Sequence, residues 1–292
     1  MFMFNGSGVA IVTPFKGSNI DLEGFKALIE FHLENETQAL IVLGTTGEAS
    51  TVSHEERVQI VKTAVEVAGG KIPVIVGTGS NSTEAAVNYT REAEALGADG
   101  ALVVTPYYNK ATQKGLIAHY TEIANSTKLP IILYNVPSRT GVNILPQTVA
   151  ELAEVDNIIA IKEASGNISQ ILEVKRLVPN SFKIYSGNDD QVIPIYSCGG
   201  HGVISVSANI IPKEMQQMCK AFMDGRVSEA LDLQLKYKKL IDYLFIEVNP
   251  IPVKAALNEM KFISNQLRSP LTVLEEGNLE KLRSEMKTQN II

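Results

Sequence analysis

The chain has 292 residues, of which 45% are hydrophobic and 20% are charged, and its formal net charge at pH 7 is −6. This composition supports a large buried core and argues against a disordered chain. Basic residues are outnumbered by acidic ones and form no cluster, so nucleic acid and anionic membranes are poor candidates as partners.

Three further features concern the compartment of the protein. No apolar run is long enough to span a bilayer. Residues 1–6 are apolar but lack the basic region and the cleavage pattern of a signal peptide. The two cysteines, Cys198 and Cys219, form no CxxC motif. We therefore expect a cytoplasmic protein whose thiols stay reduced.

Eight short runs predict buried strands, because they are solidly apolar rather than alternating. They occupy residues 9–12, 39–43, 73–77, 100–104, 131–134, 158–161, 182–185 and 202–205. Amphipathic segments between the runs predict helices. Three of these segments have start signals, namely Asp21, Ser53 with Glu56 in a capping box, and Ser82 ahead of a helix that Gly97 follows.

The order of these elements predicts the fold. Eight strand–helix units in series predict an α/β protein with a closed (β/α)8 TIM barrel, over residues 1–225. An open doubly wound sheet is the alternative, but Thr13-Pro14-Phe15 follows the first strand where a glycine-rich turn would be needed. Residues 226–292 predict a helical C-terminal extension, with helices at 227–245, 250–262 and 271–286.

Lys162 is the first candidate for chemistry, because it follows the apolar run at residues 158–161. Burial disfavours an ammonium, and a neutral amine attacks a ketone to form a Schiff base. The alternative is a strand-end lysine whose ammonium extends into water, and the run alone favours that interpretation. The residues at the neighbouring strand ends reverse the preference.

The catalytic face of a TIM barrel lies at the carboxyl ends of its strands. The predicted strand ends there carry a complete set of reactive groups: Thr45, Thr46, Tyr108, Tyr134, Arg139 and Lys162. Each has a structural alternative, since threonines cap turns, tyrosines pack in cores or subunit contacts, and an arginine forms surface ion pairs. Together they suit an imine on Lys162, with Tyr134 moving protons.

The same set predicts the remaining roles. Thr45 and Tyr108 would pass protons on to water, and backbone amides around Thr45 and Thr46 would hold a ketoacid carboxylate. Arg139 offers a planar fork for a second carboxylate. Because the imine is itself the electron sink, we expect no metal and no organic cofactor. The histidines are scattered away from Asp189 and Asp190, so we predict that this acidic pair caps a helix.

Three segments, residues 44–48, 134–137 and 162–166, resemble the carboxylate loop, relay tyrosine and Schiff-base segment of the pyruvate-dependent class I aldolases, which include N-acetylneuraminate lyase. Residues 105–108 and 138–141 narrow the resemblance to the dihydrodipicolinate synthase family within that superfamily. The similarity extends from about Gly8 to the last helices, so it covers nearly the whole chain.

The resemblance implies a reaction and several residue roles. The reaction is the condensation of pyruvate with L-aspartate 4-semialdehyde to 4-hydroxy-tetrahydrodipicolinate, in lysine and diaminopimelate biosynthesis. Arg139 would bind the semialdehyde carboxylate, and Gly187 and Ile204 would line the pyruvate pocket. Tyr108 would complete the proton relay of a neighbouring subunit, which implies a homo-oligomer, either a dimer or a tetramer built as a dimer of dimers.

The resemblance also covers part of a lysine feedback site: His54, Asn81 and Tyr107 look equivalent to its ligands, whereas Ala49 stands where lysine-sensitive relatives often have serine. Arg57 stands in place of a second histidine, and Ala85 stands in place of a glutamate that would bind the α-ammonium of lysine. Loss of that carboxylate removes a charge-assisted contact, so we expect weak or absent inhibition by lysine.

Two other functions stay open at this stage. The first is a different lyase of the superfamily, which cleaves N-acetylneuraminate or another 2-keto-3-deoxy sugar acid. The second is a barrel that binds a ligand without catalysis. The joint presence of Lys162, Tyr134, Thr45 and Arg139 argues against the second.

Overall fold

The computed structural model describes residues 3–292, so Met1 and Phe2, on which the signal-peptide prediction partly rests, lie outside the described residues. Eight parallel strands close into a barrel, in which strands consecutive along the chain are neighbours and the first strand pairs with the last. The strands are β1 Gly6–Ala10, β2 Phe15–Lys16, β3 Asn19–Ile20, β4 Ala39–Val42, β5 Val74–Gly77, β6 Gly100–Val104, β7 Ile131–Asn135, β8 Ile158–Glu163, β9 Lys183–Ser186 and β10 Gly202–Ser205. Strands β2 and β3 form a separate antiparallel hairpin.

Helices cover the outside of the barrel and continue into the C-terminal region. They are α1 Leu22–Glu34, α2 His54–Ala68, α3 Thr83–Ala95, α4 Gln113–Asn125, α5 Pro137–Thr140, α6 Pro146–Leu152, α7 Ile168–Leu177, α8 Val192–Ser197, α9 Pro212–Met223, α10 Val227–Leu244, α11 Ile251–Glu259 and α12 Glu276–Thr288. The predicted TIM barrel with C-terminal helices is therefore confirmed. No helix among residues 3–292 has the length and apolar character that a membrane span requires.

The predicted helix starts are present as hydrogen bonds. The Asp21 carboxylate accepts from the amide of Gly24 at 3.0 Å. Ser53 and Glu56 form a reciprocal capping box, with the Glu56 carboxylate 2.9 Å from the Ser53 amide. Ser82 accepts from the amide of Ala85 at 3.3 Å. Caps of this kind each contribute about 1 kcal/mol, so they fix where α1, α2 and α3 begin.

Two strands differ from the predicted bounds by more than one residue. Strand β1 begins at Gly6, three residues before the predicted run, because glycine and serine there give no apolar signal. A side chain on Gly8 would place its Cβ 2.8 Å from Ile41 and 2.9 Å from Phe4. Strand β8 continues past residue 161 to include Lys162 and Glu163.

Two apolar layers hold the fold together. The larger lies between the barrel and its helices. The smaller fills the barrel interior and includes Phe4, Ile41, Tyr134, Tyr185 and Ile204. Phe4 stacks on Tyr185 with ring centroids 4.4 Å apart. The interior is thus a packed core, and only its carboxyl end is left for chemistry.

The C-terminal helices pack against one another and against the barrel. Helix α10 contacts α9, and α12 contacts both α10 and α11. Helix α10 agrees closely with its predicted range, whereas α11 and α12 begin later than predicted, at Ile251 and Glu276. The division into a catalytic part (1–225) and an extension (226–292) stays a prediction.

His32 is a buried histidine on α1, and we predict that its titration makes the free energy of unfolding depend on pH. Burial lowers its pKa from 6.5 to about 3, so at pH 4.5 this imidazole is protonated in the unfolded chain and neutral in the folded chain. Stability from this group is complete above pH 6.5 and is lost as the pH falls towards 3, by about 2–3 kcal/mol at pH 4.5. The variant His32→Gln lacks this titrating group. The difference in the free energy of unfolding between the wild type and the variant should therefore be about 2–3 kcal/mol smaller at pH 4.5 than above pH 6.5. Chemical denaturation at both pH values measures this difference, and a difference that does not change with pH would contradict the prediction.

Candidate active site

Lys162 and Tyr134 form the centre of the site. Parallel pairing of β7 with β8 sets Tyr134 opposite Lys162, so both side chains point into the barrel. Both are buried, with 5% of Lys162 and 7% of Tyr134 exposed. The Nζ nitrogen of Lys162 lies 4.4 Å from the centroid of the Tyr134 ring. The interpretation of Lys162 as a lysine that extends into water does not fit this burial.

Gly187 gives the lysine side chain its space. A Cβ at this position would lie 3.1 Å from Cε of Lys162 and 2.7 Å from Cβ of Ala164. The amide of Gly187 donates to the carbonyl of Glu163 at 2.8 Å, which fixes the approach of the loop after β9 to β8. A larger residue at this position would require Ala164 or the Lys162 side chain to shift.

A buried polar network, which the sequence analysis missed, supports the ends of these strands. Glu163 accepts from the side chain of Asn135 on β7 at 3.1 Å and from the amide of Ser165 at 2.7 Å. Asn135 also donates to Asn143, which in turn accepts from Gln170. Burial raises the pKa of Glu163, and its donors oppose that shift. The network fixes the register that brings Tyr134 beside Lys162.

The predicted helix cap is wrong for Asp189, because its carboxylate has its partners in another loop. One carboxylate oxygen accepts from the amides of Val206 and Ser207 at 3.0 and 2.7 Å and from the Ser207 hydroxyl at 2.7 Å. Burial raises the pKa of Asp189, while these donors and the charge of Lys162 lower it. The carboxylate ties the loop after β9 to the loop after β10, next to Lys162.

The loop after β4 presents the two threonines differently. Thr46 is buried, and its hydroxyl accepts from the side chain of Asn249 at 2.9 Å. Thr45 is exposed to the space above the barrel. Asn249 belongs to the C-terminal region, and its carbonyl accepts from Arg139 at 3.4 Å. The extension therefore contacts two predicted substrate-binding segments.

A cavity of about 540 Å³ opens at the carboxyl end of the barrel. Its lining includes five predicted site residues, namely Thr45, Ala49, Tyr107, Tyr134 and Arg139, together with Arg57. Lys162 does not line the cavity. Its amine lies against the ring of Tyr134, and Tyr134 does line the cavity. The cavity thus brings the hydroxyls of Thr45 and Tyr134 and the guanidinium of Arg139 close to Lys162.

Other predicted residues lie outside this cavity. Ile204 is fully buried in the barrel interior, on the strand that pairs with β1. Tyr108 is 90% exposed and has a left-handed backbone, with φ of 71°. Within a single chain the structure does not bring Tyr108 to Tyr134.

The predicted lysine site is only partly assembled. Ala49 and Tyr107 line the cavity, whereas His54 and Asn81 do not. His54 is exposed and lies 3.4 Å from a carboxylate oxygen of Glu92. Arg57, in place of a histidine, donates to the carbonyl of Gly77 at 3.0 Å and stacks 4.2 Å from the centroid of Tyr89.

The described residues contain no group of three or more His, Cys, Asp or Glu side chains that could hold a metal ion.

A packed (β/α)8 barrel with a buried lysine against a tyrosine at its carboxyl end defines a TIM-barrel enzyme with a lysine-centred site. Comparison with known proteins specifies the family. The model of the Dihydrodipicolinate synthetase family matches residues 3–289, and the chain belongs to this family.

Individual relatives agree with this assignment. The 4-hydroxy-tetrahydrodipicolinate synthase of Alkaliphilus oremlandii (strain OhILAs) is 69% identical over 290 residues, which are 99% of this chain and 100% of the relative. The crystal structure of dihydrodipicolinate synthase from Thermotoga maritima has a TM-score of 0.99 and 48% identity, with 100% of both chains covered. A monomeric dihydrodipicolinate synthase variant has a TM-score of 0.98 and 48% identity, with 99% of this chain and 98% of that chain covered. The chain is therefore an enzyme, a lyase of this family.

Proposed function

We propose that this chain condenses pyruvate with L-aspartate 4-semialdehyde to give 4-hydroxy-tetrahydrodipicolinate, in the biosynthesis of lysine and diaminopimelate. The observation that carries the proposal is the burial of Lys162 against Tyr134 at the carboxyl end of the barrel. Full-length relatives named after the same product support it. The substrates are small molecules, which suits a cavity of about 540 Å³.

The reaction begins on Lys162. Its neutral amine attacks C2 of pyruvate, and loss of water leaves an imine that joins C2 to Nζ. Protonation of the imine makes it an electron sink, so a proton leaves C3 and an enamine forms. The Tyr134 hydroxyl is the acid and base that moves these protons, because its ring already contacts the lysine.

The second substrate then reacts with the enamine. C3 of the enamine adds to the aldehyde carbon of the semialdehyde, and the aldehyde oxygen takes up a proton. The amino group of the semialdehyde next attacks C2, closes the ring and releases the amine of Lys162. We assign proton transfer to water to Thr45 and Tyr108, and pyruvate contacts to Thr46, Gly187 and Ile204. The covalent imine supplies the electron sink, so no metal or organic cofactor is needed.

The rival activity is cleavage of N-acetylneuraminate or another 2-keto-3-deoxy sugar acid. It would use the same lysine and tyrosine but would need a site for a polyhydroxylated tail. The discriminating assay supplies pyruvate with either the semialdehyde or an amino-sugar aldehyde such as N-acetylmannosamine. Turnover with the semialdehyde alone supports the proposal, and turnover with the sugar alone refutes it.

Arg139 is expected to recognise the second substrate. Its guanidinium lines the cavity and, among residues 3–292, makes one hydrogen bond, to the carbonyl of Asn249, so its remaining donors can bind a carboxylate. Arg139→Ala should raise the KM for the semialdehyde about 10- to 100-fold and change the KM for pyruvate by less than about threefold. Steady-state kinetics with each substrate varied check this. Equal rises in both constants would contradict the assignment.

Inhibition by lysine is expected to be weak or absent, because Ala85 offers no carboxylate to the α-ammonium and Arg57 adds a positive charge. The measurement is the initial rate across a lysine titration. The variant Ala85→Glu supplies the carboxylate and should be inhibited more strongly than the wild type. Strong inhibition of the wild type by sub-millimolar lysine would contradict the expectation.

The loop after β6 supports our proposal that the protein is an oligomer. We propose the cytoplasm as its compartment. Tyr107 and Tyr108 are 39% and 90% exposed on this loop, so a second copy of the chain can cover both rings. In such a dimer Tyr108 would reach the site of the neighbouring subunit, and a tetramer would pair two dimers. Light scattering distinguishes these states from a monomer.

A further inference from the structure

A buried ion pair joins the C-terminal extension to the loop after β4. Lys254, on α11, donates to the carboxylate of Glu48 at 2.5 Å, and the two side chains are 0% and 2% exposed. The ammonium also lies 4.1 Å from the centroid of the Phe15 ring. These residues are 206 positions apart in the sequence, and the catalytic steps proposed above use neither charge.

The second oxygen of Glu48 is held by another part of the extension. It accepts from the amide of Arg268 at 3.1 Å. The guanidinium of Arg268 pairs in a bidentate manner with Glu56 and lies 4.3 Å from the centroid of Phe15. The Glu48 carboxylate is therefore fixed from two directions, by α11 and by the segment that follows it.

Glu48 controls the conformation of the threonine turn that precedes it. Its backbone is left-handed, with φ of 51°, which is unusual for a residue other than glycine. Its amide donates to the carbonyl of Thr45 at 3.1 Å, and the amide of Gly47 donates to the carbonyl of Gly44 at 3.1 Å. A shift of the Glu48 side chain would therefore be passed directly to Thr45 and Thr46.

Stability alone gives little reason for this pair. Desolvation of two buried charges offsets most of their attraction, and apolar residues of similar volume often serve stability equally well. Burial lowers the pKa of Lys254 to about 8, against the opposing effect of the Glu48 carboxylate, so the ammonium persists at neutral pH. The charged pair instead fixes an orientation. It directs the Glu48 carboxylate towards Lys254 on the extension and so holds a strained turn in place.

We propose that Lys254 is a positioning residue, which acts through Glu48 to hold the turn at Thr45 and Thr46 in the conformation that receives the ketoacid carboxylate. The inference rests on the proposed function, which assigns pyruvate to that turn. It gives the C-terminal extension a part in substrate binding, although no residue of α11 touches the substrate in this scheme.

The test compares three variants. Lys254→Met removes the ammonium, and Glu48→Gln/Lys254→Met removes both charges so that no buried carboxylate is left uncompensated. Arg283→Met is the matched control, because it breaks an ion pair to Glu259 within the extension, and among the described residues neither partner hydrogen-bonds to residues 44–48. Thermal unfolding shows which variants are folded, and steady-state kinetics give kcat and the KM for pyruvate.

Both Lys254 variants should raise the KM for pyruvate about tenfold or more, while kcat at saturating pyruvate falls by less than about threefold. The double variant should recover thermal stability and keep the high KM, which a purely structural role would not produce. A KM for pyruvate equal to that of the wild type in the double variant, or an equal rise in Arg283→Met, would overturn the inference. If the wild type itself forms no covalent adduct with pyruvate, the proposed function is refuted, and the role of Lys254, which rests on it, is refuted as well.

Discussion

Lys162→Met is expected to abolish the condensation, with kcat lowered by about 10⁴-fold or more, because the variant has no amine to form the imine. Methionine is close to lysine in length and suits the buried position, where 5% of the side chain is exposed. The fold should therefore persist, and a coupled assay with both substrates measures the loss. A variant with more than one tenth of the wild-type rate would contradict the role of Lys162.

The matched control is Lys183→Met on the neighbouring strand β9. Lys183 lies at the amino end of its strand and donates to the side chain of Asn5 at 2.8 Å, far from the cavity. Because the catalytic face is at the opposite end of the barrel, this change should alter kcat by less than about threefold. The contrast separates loss of a nucleophile from loss of any lysine in a barrel strand.

Tyr134→Phe is the second change with a large expected effect, since it removes one hydroxyl and keeps the ring that contacts Lys162. Loss of a positioned acid–base group lowers rates about 10²- to 10⁴-fold, and we expect kcat to fall within that range. Steady-state kinetics measure the fall. A rate close to that of the wild type would assign proton transfer to another group.

Tyr185→Phe is the control for this variant. Tyr185 pairs with Lys162 from the other neighbouring strand and is also buried, but its hydroxyl donates to the carbonyl of Phe4 at 2.8 Å, towards the amino end of the barrel. Its loss should cost about 1 kcal/mol of stability and leave kcat within about threefold. The pair of variants therefore distinguishes a catalytic hydroxyl from a structural one in the same layer.

The barrel could be predicted from the sequence because its signals are local. Runs of apolar residues indicate strands that are buried on both faces. Cap residues such as Asp21 and Ser53 indicate helix starts, and α1 and α2 begin at the residues that directly follow them. The same logic failed at β1, where Gly8 lies in the barrel because Phe4 and Ile41 leave no space for a side chain. Absence of a side chain gives no apolar pattern.

The proximity of Tyr134 and Lys162 was also predictable, since Tyr134 ends one predicted strand run and Lys162 directly follows the next. The supporting contacts were not. Asp189 resembles a helix cap in sequence, but its partners are the amides of Val206 and Ser207. Glu48 finds its partner Lys254 206 residues away. Such pairings depend on tertiary packing, and no local spacing encodes them.

The most direct test of the whole account is borohydride reduction of the enzyme in the presence of pyruvate, followed by peptide mass mapping. The account predicts one reduced pyruvyl adduct, located on Lys162, and no adduct on the Lys162→Met variant. An adduct on another lysine, or no adduct on an enzyme that turns over both substrates, would contradict the central claim that the buried amine of Lys162 bonds to the ketoacid.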